Sequence, residues 1–238
     1  MSSISVIVPC LNEEKNIIAA LGSIEKATKK IKIDYEIIVI DDGSIDNTAC
    51  VVSQYIKKKQ RIKLISNSTN QGIGFSFILG TRKSKKDSVI MIPGDNENDA
   101  YESLKFIKLI DHVDIIIPFV LNREIRSINR RFLSSIYRFI INISFGMNLN
   151  YSNGTVIYKK KLLRGIQLIS TGFFYQAELL IRLIRSGNSY CEMPQVINKN
   201  SSERKSRATT IKSFINLVIS FCKVFTGVHI TRKIGKLK

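Results

Sequence analysis

Apolar positions along the first 120 residues follow two alternating spacings. Largely apolar runs at 4–8, 35–40, 62–66, 88–92 and 114–118 predict short strands, because a strand covered on both faces reads as a near-continuous apolar segment. Between them, apolar residues recur at helical intervals over 12–26, 46–59, 72–81 and 100–110. In the first of these, Ile17, Ile18, Leu21 and Ile24 share a face, and Glu13 and Glu14 are expected in the first turn, where the helix dipole favours acids. Regular alternation of strand and helix predicts an α/β fold: a mostly parallel, Rossmann-like sheet with helices on both faces.

Beyond Asn122 the pattern changes. It predicts an apolar helix over 132–147, a strand over 151–158, an amphipathic helix over 174–186 and a strand over 190–197. A polar stretch, 198–207, then leads to a basic amphipathic helix over 213–230.

In an open parallel sheet, ligands bind beyond the carboxyl ends of the strands. Polar clusters stand at four of those ends: Asn12-Glu13, Asp41-Asp42, Asn70-Gln71-Gly72 and the run Asp95 to Asp99. The predicted topology therefore gathers them on one rim.

Charge sharpens the division. The 238 residues carry a net charge of +18, yet residues 1–121 hold 16 Lys/Arg against 15 Asp/Glu, and residues 122–238 hold 21 against 4. The first half is nearly neutral; the second is a cationic surface suited to phosphate or anionic lipid. No helix-turn-helix, zinc finger or RNP-type aromatic pattern accompanies that charge, so specific nucleic-acid binding is not expected. The four cysteines are widely spaced and the histidines number two, which argues against a zinc site, a disulfide framework and a Ser-His-Asp triad. The N-terminus has no secretory leader pattern. Residues 139–158 are uncharged but contain four Asn and two Gly, and 213–231 suits an interfacial helix better than a spanning one.

Asp95, Glu97 and Asp99 lie just past a strand and form an oxygen-rich site suited to a hard divalent cation, Mg²⁺ or Mn²⁺, that bridges a diphosphate. Asp99 is equally a helix cap. Asp41 and Asp42 suit a base N–H or ribose hydroxyls, with Gly43 turning the chain. Arg123, Arg126, Arg130 and Arg131, four arginines in nine residues, suit bidentate phosphate clamping. Glu178 is a candidate general base, although a lone helical Glu is more often merely exposed.

Taken together, these segments resemble the family 2 glycosyltransferases of the GT-A fold, and most of all the branch with dolichyl-phosphate mannosyltransferase and the bacterial polyprenyl-phosphate glycosyltransferases. The resemblance spans about residues 4–207 and is carried by Val6-Ile7-Val8-Pro9-Cys10-Leu11-Asn12-Glu13-Glu14, Ile38-Val39-Ile40-Asp41-Asp42-Gly43-Ser44, Asn70-Gln71-Gly72, Pro93-Gly94-Asp95-Asn96-Glu97 and Phe174-Tyr175-Gln176-Ala177-Glu178. It implies that Pro9, Leu11 and Glu13 line a nucleotide pocket with Gly72, and that Asp41 and Asp42 hold base and ribose. It also implies that Asp95 binds Mg²⁺ or Mn²⁺ with the donor diphosphate, and that Arg130 and Arg131 meet phosphates.

The family's Asp-x-Asp is here Pro93-Gly94-Asp95, and Glu97 stands where a lost charge could be restored as a metal ligand. The implied activity is inverting transfer from a UDP- or GDP-sugar to a lipid phosphate on the inner, cytoplasmic membrane face. Transfer to a sugar hydroxyl of a glycan, with Glu178 or Asp99 as base, is a second reading; a degenerate, polyanion-binding domain is a third. The implied domains are a GT-A unit over 1–207, with a nucleotide-sugar half (1–121) and an acceptor half (122–207), and a basic tail over 208–238. Oligomeric state is open, a homo-oligomer included.

Overall fold

The computed structural model describes residues 2–197 and 211–229. All eight residues of strand β1 (Ser3–Cys10) are buried, because layers pack on both of its faces. Ile4, Val6 and Val8 join one core with Ile17, Leu21 and Ile24 of helix α1 (Ile17–Ile31). Ile7 joins a second core with Phe77 and Ile78 of helix α3 (Ile73–Lys83). This two-sided burial is why the strands read as largely apolar runs.

Strands β2 (Asp34–Asp41), β3 (Ile62–Ser66) and β4 (Ser88–Met91) complete the parallel half, with helix α2 (Thr48–Ile56) between β2 and β3. Helix α4 (Ala100–Leu104) precedes β5 (Ile115–Val120). Helix α5 (Ile128–Phe145), strand β6 (Ile157–Lys159), helix α6 (Tyr175–Arg185), strand β7 (Tyr190–Gln195) and helix α7 (Ile211–His229) follow. The sheet order is β3-β2-β1-β4-β6-β5-β7. All pairings are parallel except those of β6, which runs antiparallel between β4 and β5.

Four expectations are corrected. Helix α1 begins at Ile17, so Glu13 and Glu14 are not in its first turn. Loop bonds hold them outside it: the Glu13 amide donates to Thr48 Oγ1 (2.8 Å), and Glu14 Oε2 accepts from the Asn47 amide (3.0 Å). The 100–110 helix divides into α4 and a 3-10 turn at Ile107–Asp111. Strand β6 is three residues long because the chain before it is used elsewhere. There Asn142 brackets Leu149 with two bonds, and Gly154 lies against Pro118, where a Cβ would come within 2.7 Å of Pro118 Cγ. Helix α5 starts four residues earlier than the apolar pattern indicates.

A third apolar cluster joins Ile141 and Phe145 of α5, Ala177 and Ile181 of α6, and Val224 of α7, with Phe221 packed against it. The polar stretch 198–207 and the expected 207/208 boundary lie outside the described residues. Among the described residues no helix is long and apolar enough to cross a membrane.

Candidate active site

The parallel register sets Cys10 beside Asp41, and Asp41 beside Ser66, at the carboxyl end of the sheet. The Asp42 amide donates to Cys10 O (2.9 Å), which continues the β1–β2 pairing one step past the strands. Asp41 and Asp42 are only 3% and 5% exposed. Asp41 Oδ1 accepts from the Ser44 amide (3.1 Å), which closes the turn that Gly43 makes at φ +79°. A Cβ on Gly43 would lie 2.7 Å from the Thr69 carbonyl carbon, so only glycine lets the two loops approach. Asp42 accepts three bonds: from Asn67 Nδ2 (2.7 Å) and the Gln71 amide (3.0 Å) on Oδ1, and from the Gly72 amide (2.9 Å) on Oδ2. It thereby ties the Asn70-Gln71-Gly72 loop to the end of β2.

The 11–16 segment crosses the same rim. Asn12, held at φ +54°, accepts from the Ile45 amide through Oδ1 (2.9 Å), and its own amide donates to Ser44 Oγ (2.9 Å). Glu13 is buried and accepts from Asn16 Nδ2 (2.7 Å). The rim carries a negative field. The Cys10 thiol is pushed well above its usual range, first by burial and then by Asp41, Glu13, Asp46 and Asp42. Pro9 and Leu11 flank this thiol in sequence, so the nucleotide-pocket candidates share one edge with Gly72 and the two aspartates.

Beside them, β4 ends in the 93–99 loop. The Gly94 amide donates to Pro9 O (3.0 Å), and a Cβ there would fall 2.6 Å from Ile17 Cδ1. Glycine at 94 therefore lets the loop lie against β1. Asp95 Oδ1 accepts from the Glu97 amide (3.0 Å), with Asn96 at φ +58° between them. Asp99 caps α4, accepting from the Tyr101 and Glu102 amides. Among the described residues no trio of His, Cys, Asp or Glu forms a self-sufficient metal cage. The donor set of Asp95 and Glu97 fits a hard cation of the Mg²⁺ kind, which takes one or two carboxylates and completes its shell with substrate phosphates and water.

Arg123, Arg126, Arg131 and Arg138 line one cavity of about 120 Å³ with Ser134, Ser135, Asn150 and Tyr151, and no acidic side chain lines it. Arg123 and Arg138 both donate to Asn150 O, at 3.3 and 3.4 Å. The Arg126 guanidinium lies 5.6 Å from the Tyr151 ring centroid, and its buried Nε has no hydrogen-bond partner. Buried donors are normally satisfied, so an unpartnered guanidinium nitrogen beside a cavity lined by four arginines and no carboxylate is suited to an anion. Arg130 is not among the lining residues. Sequence reasoning did not single out Arg138, Ser134 or Ser135 for this site. Arg138 stands two helical turns after Arg131, a spacing that was legible.

Glu178 departs from the exposed position expected of a lone helical Glu: it is 0% exposed. Its Oε1 accepts from the Ile169 amide (2.9 Å), its Oε2 from the Ser170 amide (2.8 Å), and Arg182 Nη2 lies 2.6 Å from Oε1. Burial pushes its carboxyl above the usual range, against the pull of Ile169, Arg182 and Ser170. Both oxygens are engaged in holding a loop.

A mostly parallel seven-stranded sheet with one inserted antiparallel strand, and carboxylates on its carboxyl rim, is the GT-A architecture of nucleotide-sugar glycosyltransferases. The chain belongs to glycosyl transferase family 2, whose model matches residues 5–172. It is 32% identical over 146 residues to the putative glycosyltransferase CsbB of Bacillus subtilis, covering 61% of this chain and 44% of that protein. It is 36% identical over 103 residues to a dolichyl-phosphate beta-glucosyltransferase of Dictyostelium discoideum, covering 40% of this chain and 32% of that one. The matched part thus spans less than half the length of these two relatives. Glucosyl-3-phosphoglycerate synthase from Mycobacterium tuberculosis, crystallised with Mn²⁺, UDP-glucose and phosphoglyceric acid, shares the fold. Its TM-score is 0.70 at 15% identity, over 94% of this chain and 80% of that one.

Proposed function

We propose that this chain transfers a sugar, with inversion, from a nucleoside-diphosphate donor to a polyprenyl phosphate at the inner membrane surface. The observation that carries the acceptor is the arginine cavity, with its unpartnered Arg126 Nε, beside helix α5. That helix exposes Ile128, Phe132, Leu133, Ile136, Phe139, Ile140 and Ile143. A phosphate site next to an uncovered apolar helix suits a ligand with an anionic head and a hydrocarbon tail. The dolichyl-phosphate relative supports the same acceptor class, and UDP-glucose, bound by the structural neighbour, is the first donor to try, with GDP-sugars next.

In this reading residues 1–121 hold the donor and 122–207 the acceptor. Pro9, Leu11, Glu13, Asp41 and Gly72 border the nucleotide, and Asp42 shapes the loop that faces it. Asp95 and Glu97 would hold Mg²⁺ or Mn²⁺, whose charge offsets the negative charge on the departing diphosphate. Arg123, Arg126, Arg131 and Arg138 orient the acceptor phosphate, and Arg130, outside the cavity, adds to the cationic approach. A phosphate oxygen is already ionised at neutral pH. It attacks the anomeric carbon as the bond to the nucleoside diphosphate breaks, so no general base is needed.

A sugar-hydroxyl acceptor, by contrast, requires a base to take its proton. Of the two candidate bases, Glu178 is bonded through both oxygens, and Asp99 caps a helix.

The test supplies UDP-glucose or GDP-mannose, Mn²⁺ and a short polyprenyl phosphate. A glycosyl-phospholipid product should form, and the pair Arg126→Ala with Arg131→Ala should abolish it while nucleotide binding persists. Transfer to a neutral glycan in preference to the lipid phosphate would overturn the proposal.

A further inference from the structure

We infer that buried Glu178 is a positioning residue that sets the donor loop from within the acceptor half, through the segment 167–172. The inference rests on the reading of the Asp42 rim as the nucleotide site, and it follows a continuous set of contacts.

Glu178 and Arg182 lie one turn apart on α6 and both face the segment before it. Glu178 binds the Ile169 and Ser170 amides through separate oxygens. Arg182 Nη1 donates to Gln167 O (3.0 Å), and its Nη2 pairs with Glu178. Three residues of an otherwise irregular stretch, Gln167, Ile169 and Ser170, are thereby pinned to the helix. The next residue, Thr171, is delivered to the donor loop: its carbonyl accepts from the Gly74 amide (2.7 Å).

The fit at this contact leaves no room. A Cβ on Gly72 would lie 2.6 Å from Thr171 O, and one on Gly74 would lie 2.7 Å from Tyr175 Cβ and 2.9 Å from Ser170 O. On its other side Gly72 donates to Asp42 Oδ2, and Gln71 donates to Asp42 Oδ1. The path therefore runs Glu178, Ser170, Thr171, Gly74, Gly72, Asp42. It joins residues 136 positions apart in the chain.

Fold stability alone does not account for this arrangement. A buried ion pair is often no more stabilising than apolar residues of the same shape, because both charges are desolvated. What a carboxylate adds is direction: two fixed acceptor oxygens hold two adjacent amides, which an apolar side chain cannot do. A loop held in this way presents Thr171 O at one height against Gly72 and Gly74, and so fixes where the Asp42-bound amides sit.

The test uses the whole chain and measures UDP and GDP binding with Mn²⁺ by calorimetry, together with amide hydrogen exchange without ligand. Glu178→Gln places an amide NH₂ against a backbone N–H and should weaken the bound nucleotide by about 3- to 30-fold, the range of coupling through such contacts. Exchange at Gly72 and Gly74 should quicken, while β1 amides stay as slow as before. Gly74→Ala should weaken binding similarly, and the double variant should be no weaker than the worse single one, since both cut one path. If Glu178→Gln does not fold, Arg182→Lys, which keeps the charge but not the fork to Gln167 O and Glu178, should give the same pattern at smaller size.

Unchanged nucleotide affinity with a lowered turnover would make Glu178 a catalytic base and overturn the inference. Uniformly faster exchange, β1 included, or additive losses would reduce it to general stability and overturn it too. Wild-type protein that binds neither nucleotide would sink the donor-site reading instead, and the exchange data would still decide whether Glu178 holds the loop.

Discussion

Asp42→Asn changes one atom at the rim, and the structure sets its cost. The carboxylate accepts from Asn67 and Gln71 on one oxygen and from Gly72 on the other. An asparagine keeps one acceptor. Its best orientation leaves the oxygen to Asn67 and Gln71, because the Gly72 amide has a second acceptor in Asn70 Oδ1 at 2.9 Å. One bond to a charged acceptor is then lost, worth about 1.5–3 kcal/mol, and two others lose their charge assistance. With the Asn70 bond offsetting part of this, a net loss of about 2 kcal/mol is expected, which lowers Tm by roughly 4–8 °C for a domain of this size. Asp41→Asn is the internal control. Asp41 Oδ1 accepts from the Ser44 amide, a bond that an asparagine oxygen can keep, so its Tm should fall by less than about 2 °C. Thermal unfolding followed by circular dichroism measures both. Equal shifts in the two variants would refute the assignment of Asp42 as the anchor of the 67–72 loop.

Two further outcomes follow from charge and exposure. Glu36 is buried; desolvation raises its carboxyl, but the Lys85 amide, Ser5 Oγ and Lys63 outweigh it and hold the group below 4.5. A depressed folded value makes its stabilisation complete above pH 4.5 and lost as pH falls through the folded value. The stability gap between wild type and Glu36→Gln, read from urea unfolding at successive pH values, should therefore shrink below pH 4.5; a constant gap contradicts the reasoning. On α5, Phe139 and Ile143 are 64% and 70% exposed, so replacing both with Glu should leave the fold intact. If each inserts for about 1.5–3 kcal/mol, binding to vesicles with anionic lipid should drop at least about 100-fold, and equal sedimentation with vesicles would show that this face meets something else.

The order of strands and helices in the first 120 residues, and the carboxylates at the strand ends, were legible because both are local. A strand buried on two faces must be largely apolar, and a chain leaving it must turn, so Asp41-Asp42-Gly43 and Pro93-Gly94-Asp95 fall where the apolar runs stop. The arginines after Asn122 were legible as a charge excess, also a local property. Partnership was not. That β6 inserts antiparallel between β4 and β5, that Arg138 joins Arg123, Arg126 and Arg131 around one cavity, and that Glu13 and Glu14 bond to the 44–48 turn instead of opening a helix all depend on residues distant in the chain. Glu178 shows the difference most clearly. Its sequence neighbours permit an exposed helical acid paired with Arg182 one turn on, and only packing of 167–172 beneath α6 buries it, supplies two amides, and turns it from the solvent toward the donor loop. Periodicity records which face of an element is covered; what covers it is decided by contacts between segments whose spacing in sequence carries no signal.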